Sequence, residues 1–534
     1  MQNKIKNFVR QNKVTISILL VVIAVGIFLR TYNFHDWLHF GSDQSRDAIL
    51  VERVVNGAVS WPLLGADASN THFKLGPMYY YFQIISVKIF GIGPEKLAYP
   101  DLLFSILSIP LLFFLLKRYF STNISLALAA VYSFSYYAIR YSRFAWNTNP
   151  IPFFMMLFLL ALHEFLAEKE KTSWWWIIII GLALGVNVQL HTLLLLLLPP
   201  FTFFALVYLM KKNPKLWKQW MVIFLIAIIL NLGQIISEKE TRFANSQLFL
   251  QAVTDRSSSG GERLGKNLLL DMSAHTQANA HILSALGNRD KFDFKFIFFN
   301  PKKSDRIGYG LAVLGIVASY VFSILGYGAL AYNLWKEKDE KKKYFLLLIT
   351  IYVSLSFLAI LPVIHEAPMR YFIHVSFIPF ILLGFLLKTV VRKFQQKQIL
   401  FIGGVVIILM FTNTLSVKAE AEELAAKARG DSGYVVLGEI EPMVEYIRSQ
   451  SFPQKEAYLS GAARDIYFKS MSYVAIKRGF KLIRAKNSKS VPAGKPSFSI
   501  SNSLSEKKLK HKQQNASDSG EFMNFGQIGI YKQR

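Results

Sequence analysis

A polar stretch, Phe40-Gly41-Ser42-Asp43-Gln44-Ser45-Arg46-Asp47, follows the first long apolar segment of a 534-residue chain. It holds two carboxylates with an arginine between them, and it continues with Ala48, Val51, Val54 and Val55 at helical spacing. That pattern has two readings. Ser-Asp ahead of an apolar-periodic run is an ordinary helix N-terminus. A carboxylate close behind a membrane anchor, with Arg46 and Asp47 beside it, is also a general base able to abstract a proton next to an anionic lipid headgroup.

Other residues of unusual type recur just outside apolar segments: His72, Lys74, Arg140, Arg143, Asn147, His191, His365, Glu366 and Arg370. Their bias toward Arg and His beside Tyr and Pro points to a site at the outer membrane-water boundary. For Arg140, Arg143 and Arg370 the competing reading is snorkelling to phospholipid headgroups. His191, in Asn187-Val188-Gln189-Leu190-His191-Thr192, must face the protein interior, because a polar group at such depth is costly without partners. His163-Glu164 falls at the cytoplasmic end of its segment and reads as structural. The chain carries no His-Glu-x-x-His, Walker loop, Gly-x-Gly-x-x-Gly after a strand or Asp-x-Asp, and His275 and His281 do not share a helix face. With no cysteine, thiolate metal sites, disulfides and Cys nucleophiles are excluded. No metal site is predicted; a divalent ion is compatible with these residues but not required, and no other cofactor is implied.

The elements that must position these residues are membrane spans. The chain is 52% hydrophobic and 14% aromatic, more apolar than a soluble domain needs. Its net charge of +27 sits in short Lys/Arg clusters between apolar segments, so it reads as topology and headgroup contact, not nucleic-acid binding. Taking those clusters as cytoplasmic gives about eleven transmembrane helices: Val14–Leu29, Leu97–Leu116, Ile124–Ile139, one ending at Glu168–Lys171, one opening at Trp174–Trp176, one ending at Lys211-Lys212, Trp220–Ile236, one ending before Lys336–Lys343, one emerging near His365, one returning by Lys388–Lys393, and Ile399–Val417. The N-terminus is then a cytoplasmic, uncleaved anchor. Residues 31–96 and 237–307 become long external loops, the second with a flexible tip at Ser257–Gly261. Met78–Phe90 is too short to cross, since about 20 residues are needed. It is expected to lie as an interfacial helix, where its tyrosines are at home.

Domain boundaries are read at 1–417 for the membrane domain and 418–534 for a small extracytoplasmic α/β domain. In the latter we expect helices at Glu439–Ser449 and Ala463–Arg478, and strands near Ala457–Ser460, Lys481–Ile483, Ser497–Ser501 and Ile528–Tyr531, with 505–520 partly disordered.

The run Gly41 to Asp47, then Pro62-Leu63-Leu64-Gly65, then His72-Phe73-Lys74-Leu75-Gly76-Pro77-Met78-Tyr79-Tyr80-Tyr81, resembles the first external loop of the protein O-mannosyltransferase-like enzymes. These form glycosyltransferase family 39 and its relatives, among them the aminoarabinose transferase, within the C-type superfamily. Arg140-Tyr141-Ser142-Arg143, Gln189-Leu190-His191 and Arg370-Tyr371 fall where related sequences carry similar motifs, and the resemblance spans about residues 14–416. It implies an inverting transferase of the bacterial plasma membrane that passes a sugar (a hexose or pentose) from a polyprenyl-phosphate carrier to an acceptor hydroxyl on the outer face. The acceptor is a glycan, a lipid or a protein, and membrane lipids are the other partners. The family's loop reads Asp-Glu, so Asp43 maps onto the catalytic carboxylate while Gln44 replaces the Glu, which leaves open any role of that second acid in holding acceptor or metal; Asp47, one helical turn on, is positioned to compensate if the segment is helical.

In that scheme Lys74, Arg140, Arg143 and Arg370 are candidates for the carrier phosphate. Gln44, Arg46, Asp47, His72, Tyr79, Asn147, His191 and Glu366 are candidates for substrate contact. A carboxylate is far too weak a base to deprotonate a sugar hydroxyl beforehand, so proton transfer must accompany attack on the anomeric carbon. The departing lipid phosphate needs fixed positive charge instead of a proton. Two other readings fit the composition. A transporter or lipid-linked-sugar flippase would place its polar residues near the midplane between broken repeats, where this chain does not. A non-catalytic assembly subunit with the same fold would keep the architecture and tolerate Gln44.

Overall fold

In the computed structural model, residues 12–68, 71–167, 173–212, 214–258, 264–285, 306–366, 369–425, 434–487, 490–502, 522–526 and 528–533 are described. Each of the eleven apolar segments is helical. Five helices are long and apolar enough to span alone: α1 (Lys13–Thr31), α4 (Pro94–Leu116), α14 (Arg306–Lys336), α15 (Glu340–Ile360) and α17 (Gln398–Ala425). Four more are shorter and apolar: α5 (Thr122–Phe134), α7 (Ile151–Ala167), α8 (Trp174–Leu190) and α9 (Thr192–Lys212). The remaining two are bent. One turns by 61° between α10 (Trp217–Leu230) and α11 (Leu232–Glu240), the other by 59° between a 3₁₀ turn, Met369–Val375, and α16 (Ile378–Lys393).

The segment expected at Ile124–Ile139 is broken as well. α5 stops at Phe134, Ser135 is non-helical, and a single turn, α6 (Tyr136–Arg140), follows. The freed Tyr136 N–H donates to Asn413 Oδ1 of α17 at 2.8 Å, and the break is pinned by Ser135 Oγ, which donates to Ile282 O at 2.7 Å. Irregular backbone at this depth survives only where such partners exist.

Residues 31–96 carry two helices. α2 (Ser42–Val55) begins at Ser42, and α3 covers Met78–Phe90, the stretch too short to cross. α3 buries Tyr79, Tyr80, Ile84 and Val87 and leaves Ile85, Ile89 and Phe90 exposed, the amphipathic division of a helix lying along a membrane surface. Gly91, at φ +88°, ends it, and Pro94 opens α4 at once.

The reading of 237–307 as a loop with a flexible tip is corrected. Residues Ala244–Ser258 form α12 and Leu264–Ser284 form α13, so Ser257 and Ser258 are helical, while 259–261 lie outside the described residues. α13 buries Asp271, His275, Asn279 and His281 against the bundle, and Asn279 donates to Ser323 Oγ of α14 at 3.1 Å. Its polar composition reads as loop; a row of small and polar residues can face inward in a membrane protein where partners wait.

At the end of the bundle away from Asp43, Arg118 pairs with Glu164 at 2.7 Å, His163 meets Lys341 O at 3.0 Å, and Lys388 Nζ donates to Tyr119 Oη at 2.7 Å. The C-terminal domain is a five-stranded sheet in the order β2-β1-β3-β5-β4 with two helices, α18 (Leu437–Ser451) and α19 (Arg464–Lys477). β1 (Glu456–Ser460) pairs in parallel with β2 (Lys481–Arg484) and β3 (Ser497–Asn502), and β5 (Ile528–Gln533) is antiparallel to β3 and to β4 (Phe522–Phe525). β4 is the strand that alternation did not reveal, and 505–520 lies outside the described residues. The sheet domain shares one core with the Asp43 region, in which Leu38, Phe40 and Val51 join Ile440, Met443 and Tyr473.

Candidate functional site

Asp43 stands in the first turn of α2, where the helix dipole favours a carboxylate. Its side chain is 62% exposed and takes one hydrogen bond, from Arg46 Nη1 at 3.2 Å. Arg46 spends its other face on Asp47, with Nε and Nη2 at 2.9 and 2.8 Å from Oδ1. Asp47 is buried and also accepts from Tyr80 Oη at 2.9 Å. Burial pushes the Asp47 carboxyl up to about 6, against the opposing pull of Arg46 and Tyr80. Arg46 therefore bridges an exposed carboxylate and a buried one.

Gln44 is what aims this turn. Its Oε1 accepts from the Gly41 N–H at 3.1 Å, and its Nε2 donates to Ala145 O at 2.9 Å. One amide thus caps α2 and ties it to the 140–149 segment. A glutamate could do the first of these but not the second, since an ionised carboxylate only accepts. Gln44 is buried and fully engaged with backbone.

Asp43 and Arg46 open onto a cavity of about 510 Å³. Its walls include Trp146, Asn147, His191, Arg370 and Tyr371, with Leu193, Leu196, Ala359 and Val363 on the apolar side. Asn147 is fixed by donating to Leu190 O at 2.6 Å. His191 Nδ1 accepts from the Leu193 N–H at 3.0 Å, and its ring meets Tyr371 edge-on. The Arg370 guanidinium lies 5.5 Å over the Trp146 ring, a seat that holds a cation without neutralising it.

Of the residues selected from sequence, the structure brings Asp43, Arg46, Asn147, His191 and Arg370 to this cavity. It takes others elsewhere. The extended stretch 73–75 sends Phe73 and Leu75 to the cavity wall, so the alternation of an extended chain turns His72 and Lys74 away, and both are exposed. Lys74 is held through its backbone instead, exchanging hydrogen bonds of 2.7 and 3.0 Å with the Asn245 side chain. That strap closes tightly because Gly65 faces Gly76, where a Cβ on Gly65 would lie 2.2 Å from Gly76 O. Tyr79 is buried and donates to Asp101 Oδ2 at 2.9 Å. Glu366 closes the 3₁₀ turn Leu361–Glu366, and its side chain, like that of His365, lies outside the described residues.

Arg143 is buried and donates to four carbonyls at the C-terminal end of α1: Tyr32 at 2.7 Å, Asn33 at 3.1 Å, Arg30 at 3.2 Å and Leu29 at 3.4 Å. It satisfies the orphan carbonyls of that helix. Arg140 lines a different groove from Asp43. Sequence reasoning named Tyr371 only as part of the Arg370-Tyr371 motif and passed over Trp146 and Phe249; Trp146 adjoins a residue it had selected, whereas Phe249 belongs to α12 and carried no signal. Among the described residues no group of three or more His, Asp or Glu side chains gathers as a metal site.

Residues 74–233 match the family described as dolichyl-phosphate-mannose-protein mannosyltransferase. The structure is similar to that of ArnT from Cupriavidus metallidurans bound to undecaprenyl phosphate, with a TM-score of 0.52 at 11% identity, covering 98% of each chain. The chain shares the fold of that protein. It is also similar to the oligosaccharyltransferase AglB from Archaeoglobus fulgidus in complex with an inhibitory peptide and a dolichol-phosphate, with a TM-score of 0.51 at 13% identity. That likeness covers 89% of this chain but 65% of AglB, so the chain spans less than two thirds of that relative. No curated protein sequence matches the chain significantly. The matched segment starts at the Lys74 strap and runs through α3 to α10, taking in the 140–149 segment and His191.

Proposed function

We propose that this protein transfers a sugar from a polyprenyl-phosphate carrier to an acceptor hydroxyl, with inversion at the anomeric carbon, on the outer face of a bacterial plasma membrane. The observation that carries this reading is the shared wall of one cavity: a solvent-accessible carboxylate, Asp43, on one side and the Arg370 cation on the other, with apolar side chains between. The acceptor oxygen attacks the anomeric carbon while Asp43 takes its proton. The bond from that carbon to the phosphate oxygen breaks, and the carrier leaves as a lipid phosphate whose charge Arg370 meets. Arg46 keeps Asp43 oriented, and the face formed by Leu193, Leu196 and Val363 accommodates the first isoprene units. His191 and Asn147 hold the sugar or the acceptor hydroxyls.

Asp43→Asn in the purified full chain, given a polyprenyl-phospho-sugar and envelope acceptors, is expected to lower turnover by about 10²–10⁴-fold, the usual worth of a general base, with unfolding temperature unchanged. Retained turnover sinks the assignment.

A further inference from the structure

α3 has two faces, and packing accounts for the inward one. Tyr80, Ile84 and Val87, at helical spacing, are buried, and Tyr80 Oη donates to Asp47 Oδ1 at 2.9 Å. Ile85, Lys88 and Ile89 point the other way and are exposed, and Phe90 and Ile92 carry the apolar surface to the end of the helix and past it. Because α3 leads through Gly91 and Gly93 straight into α4, a spanning helix, this face lies at the depth where headgroups meet hydrocarbon.

A cation is built into the apolar face. The Lys88 ammonium lies 5.0 Å from the centre of the Trp61 ring. Trp61 is itself held in place: its ring meets the Tyr81 ring edge-on at 5.3 Å, and Tyr81 Oη donates to the carbonyl of Pro62, the next residue along, at 2.9 Å. Between Asn56 and Ala66, and again between Leu75 and Gly93, the chain has no Asp or Glu. Among the described residues no carboxylate pairs with Lys88. A lysine stem lying along exposed isoleucines, with its charge held at an interfacial tryptophan, is a snorkelling lysine, and what meets such a charge is the phosphate of a lipid headgroup.

We infer that Lys88, seated on Trp61, binds the headgroup of an anionic phospholipid in the leaflet at the Asp43 end of the bundle, with Ile85, Ile89 and Phe90 against its acyl chains. A free phosphate would find one ammonium and have no use for the isoleucines. A protein partner would have to displace the bilayer from the start of α4. The site stands on the outward face of the helix whose inward face presents Tyr80 to Asp47, so a bound lipid steadies α3 from outside while Asp47 holds it from within. The inference needs only the membrane fold and is independent of the transferase reading.

The test places a benzophenone photocrosslinker at Ile85, one turn from Lys88, in the full chain in nanodiscs of phosphatidylglycerol and phosphatidylcholine, and identifies captured lipid by mass spectrometry. The same crosslinker at Ile324, exposed on α14, reports the lipid that surrounds the bundle. Phosphatidylglycerol is expected to be enriched about fivefold at Ile85 over Ile324, the worth of one lysine at a membrane surface. Lys88→Ala should bring the ratio at Ile85 down to that at Ile324, Lys88→Arg should keep it, and Asp43→Asn should leave it unchanged. Both Ile85 and Lys88 are exposed, so these changes remove no core contact and the chains should fold. Equal ratios at the two positions in the native chain overturn the inference, as does enrichment that survives Lys88→Ala. Capture of lipid at Ile324 but not at Ile85 would take α3 off the membrane surface and overturn it as well.

Discussion

At the level of single residues, the site turns on how Arg46 divides itself between Asp43 and Asp47. Asp47 has a folded value near 6 against an ordinary 3.8, so the folded state holds its proton more tightly. The associated stability is complete below about 4 and is lost as pH rises through about 6. Catalysis should run the other way. Below about 6 a neutral Asp47 releases Arg46 to Asp43, and a base in a full ion pair is a poorer base. Turnover is therefore expected to fall as pH drops through about 6, and Asp47→Asn should give low turnover with that acid limb removed; a limb unchanged in the variant would refute the coupling. Arg143 makes a contrasting case. Its type and position suggest phosphate binding, yet its donors close the end of α1. Arg143→Ala should therefore cost stability on the order of 2–4 kcal/mol by chemical unfolding in detergent, since buried carbonyls lose a charged donor. A variant as stable as the parent but weaker in donor affinity would restore the phosphate role. Residue type alone could not separate Arg143 from Arg370, because both are arginines just outside an apolar segment and each lies 5.5 Å over an indole, Trp37 and Trp146 respectively; what marks Arg143 as a cap is that its donors go to the α1 carbonyls.

At the level of elements, the Asp43 helix is held from two sides. Gln44 ties its start to Ala145, and the sheet domain grips its far end. There Lys477 Nζ lies 2.6 Å from Glu52 Oε2 and Tyr473 donates its hydroxyl to the same carboxylate, while Phe40, just ahead of the helix, meets the Tyr473 ring. Glu52→Ala leaves that tyrosine hydroxyl without its carboxylate, so a loss of about 1–3 kcal/mol is expected. If this grip aims Asp43, turnover falls with it while donor KM holds, and Glu52→Gln, which still accepts, restores most of both. Loss of stability with full turnover would make the contact purely structural. The helices themselves were legible because hydropathy and basic clusters report on burial in lipid; α2 was marked by Ser42-Asp43 ahead of an apolar-periodic run, and α3 by an apolar stretch too short to cross. The breaks were not. Ser135 and Asn231 are ordinary polar residues in apolar runs, and what permits the chain to bend at Ser135 is Asn413, more than 270 positions away. α12 and α13 were missed for a related reason: their polar residues find partners on other segments, Asn245 at the Lys74 strap and Asn279 at Ser323 of α14, which local periodicity does not see.

At the level of the whole molecule, the sidedness of the bundle carries the chemical argument, because a lipid-linked donor meets its acceptor on one face only. The structure gathers Asp43, Arg370 and the sheet domain at one end, and Arg118, His163, Tyr119 and Lys388 at the other. Basic residues are retained on the cytoplasmic side, so the first end should be external. The chain has no cysteine, which makes the point directly measurable. Single cysteines at Ser60, near the end of α2, and Lys469, on α19, are exposed, as is one at Lys338 between α14 and α15. In intact cells an impermeant maleimide should label the first two and reach Lys338→Cys only after the membrane is opened. Because Ser60 and Lys469 belong to elements packed on one core, they must label together whichever way the bundle faces. If they label alike but only after permeabilisation, the fold stands while Asp43 faces the cytoplasm, and the external carrier and acceptor are excluded. If they label on opposite sides, the packing of the sheet domain on the Asp43 helix is itself wrong, and the account of Glu52 falls with it.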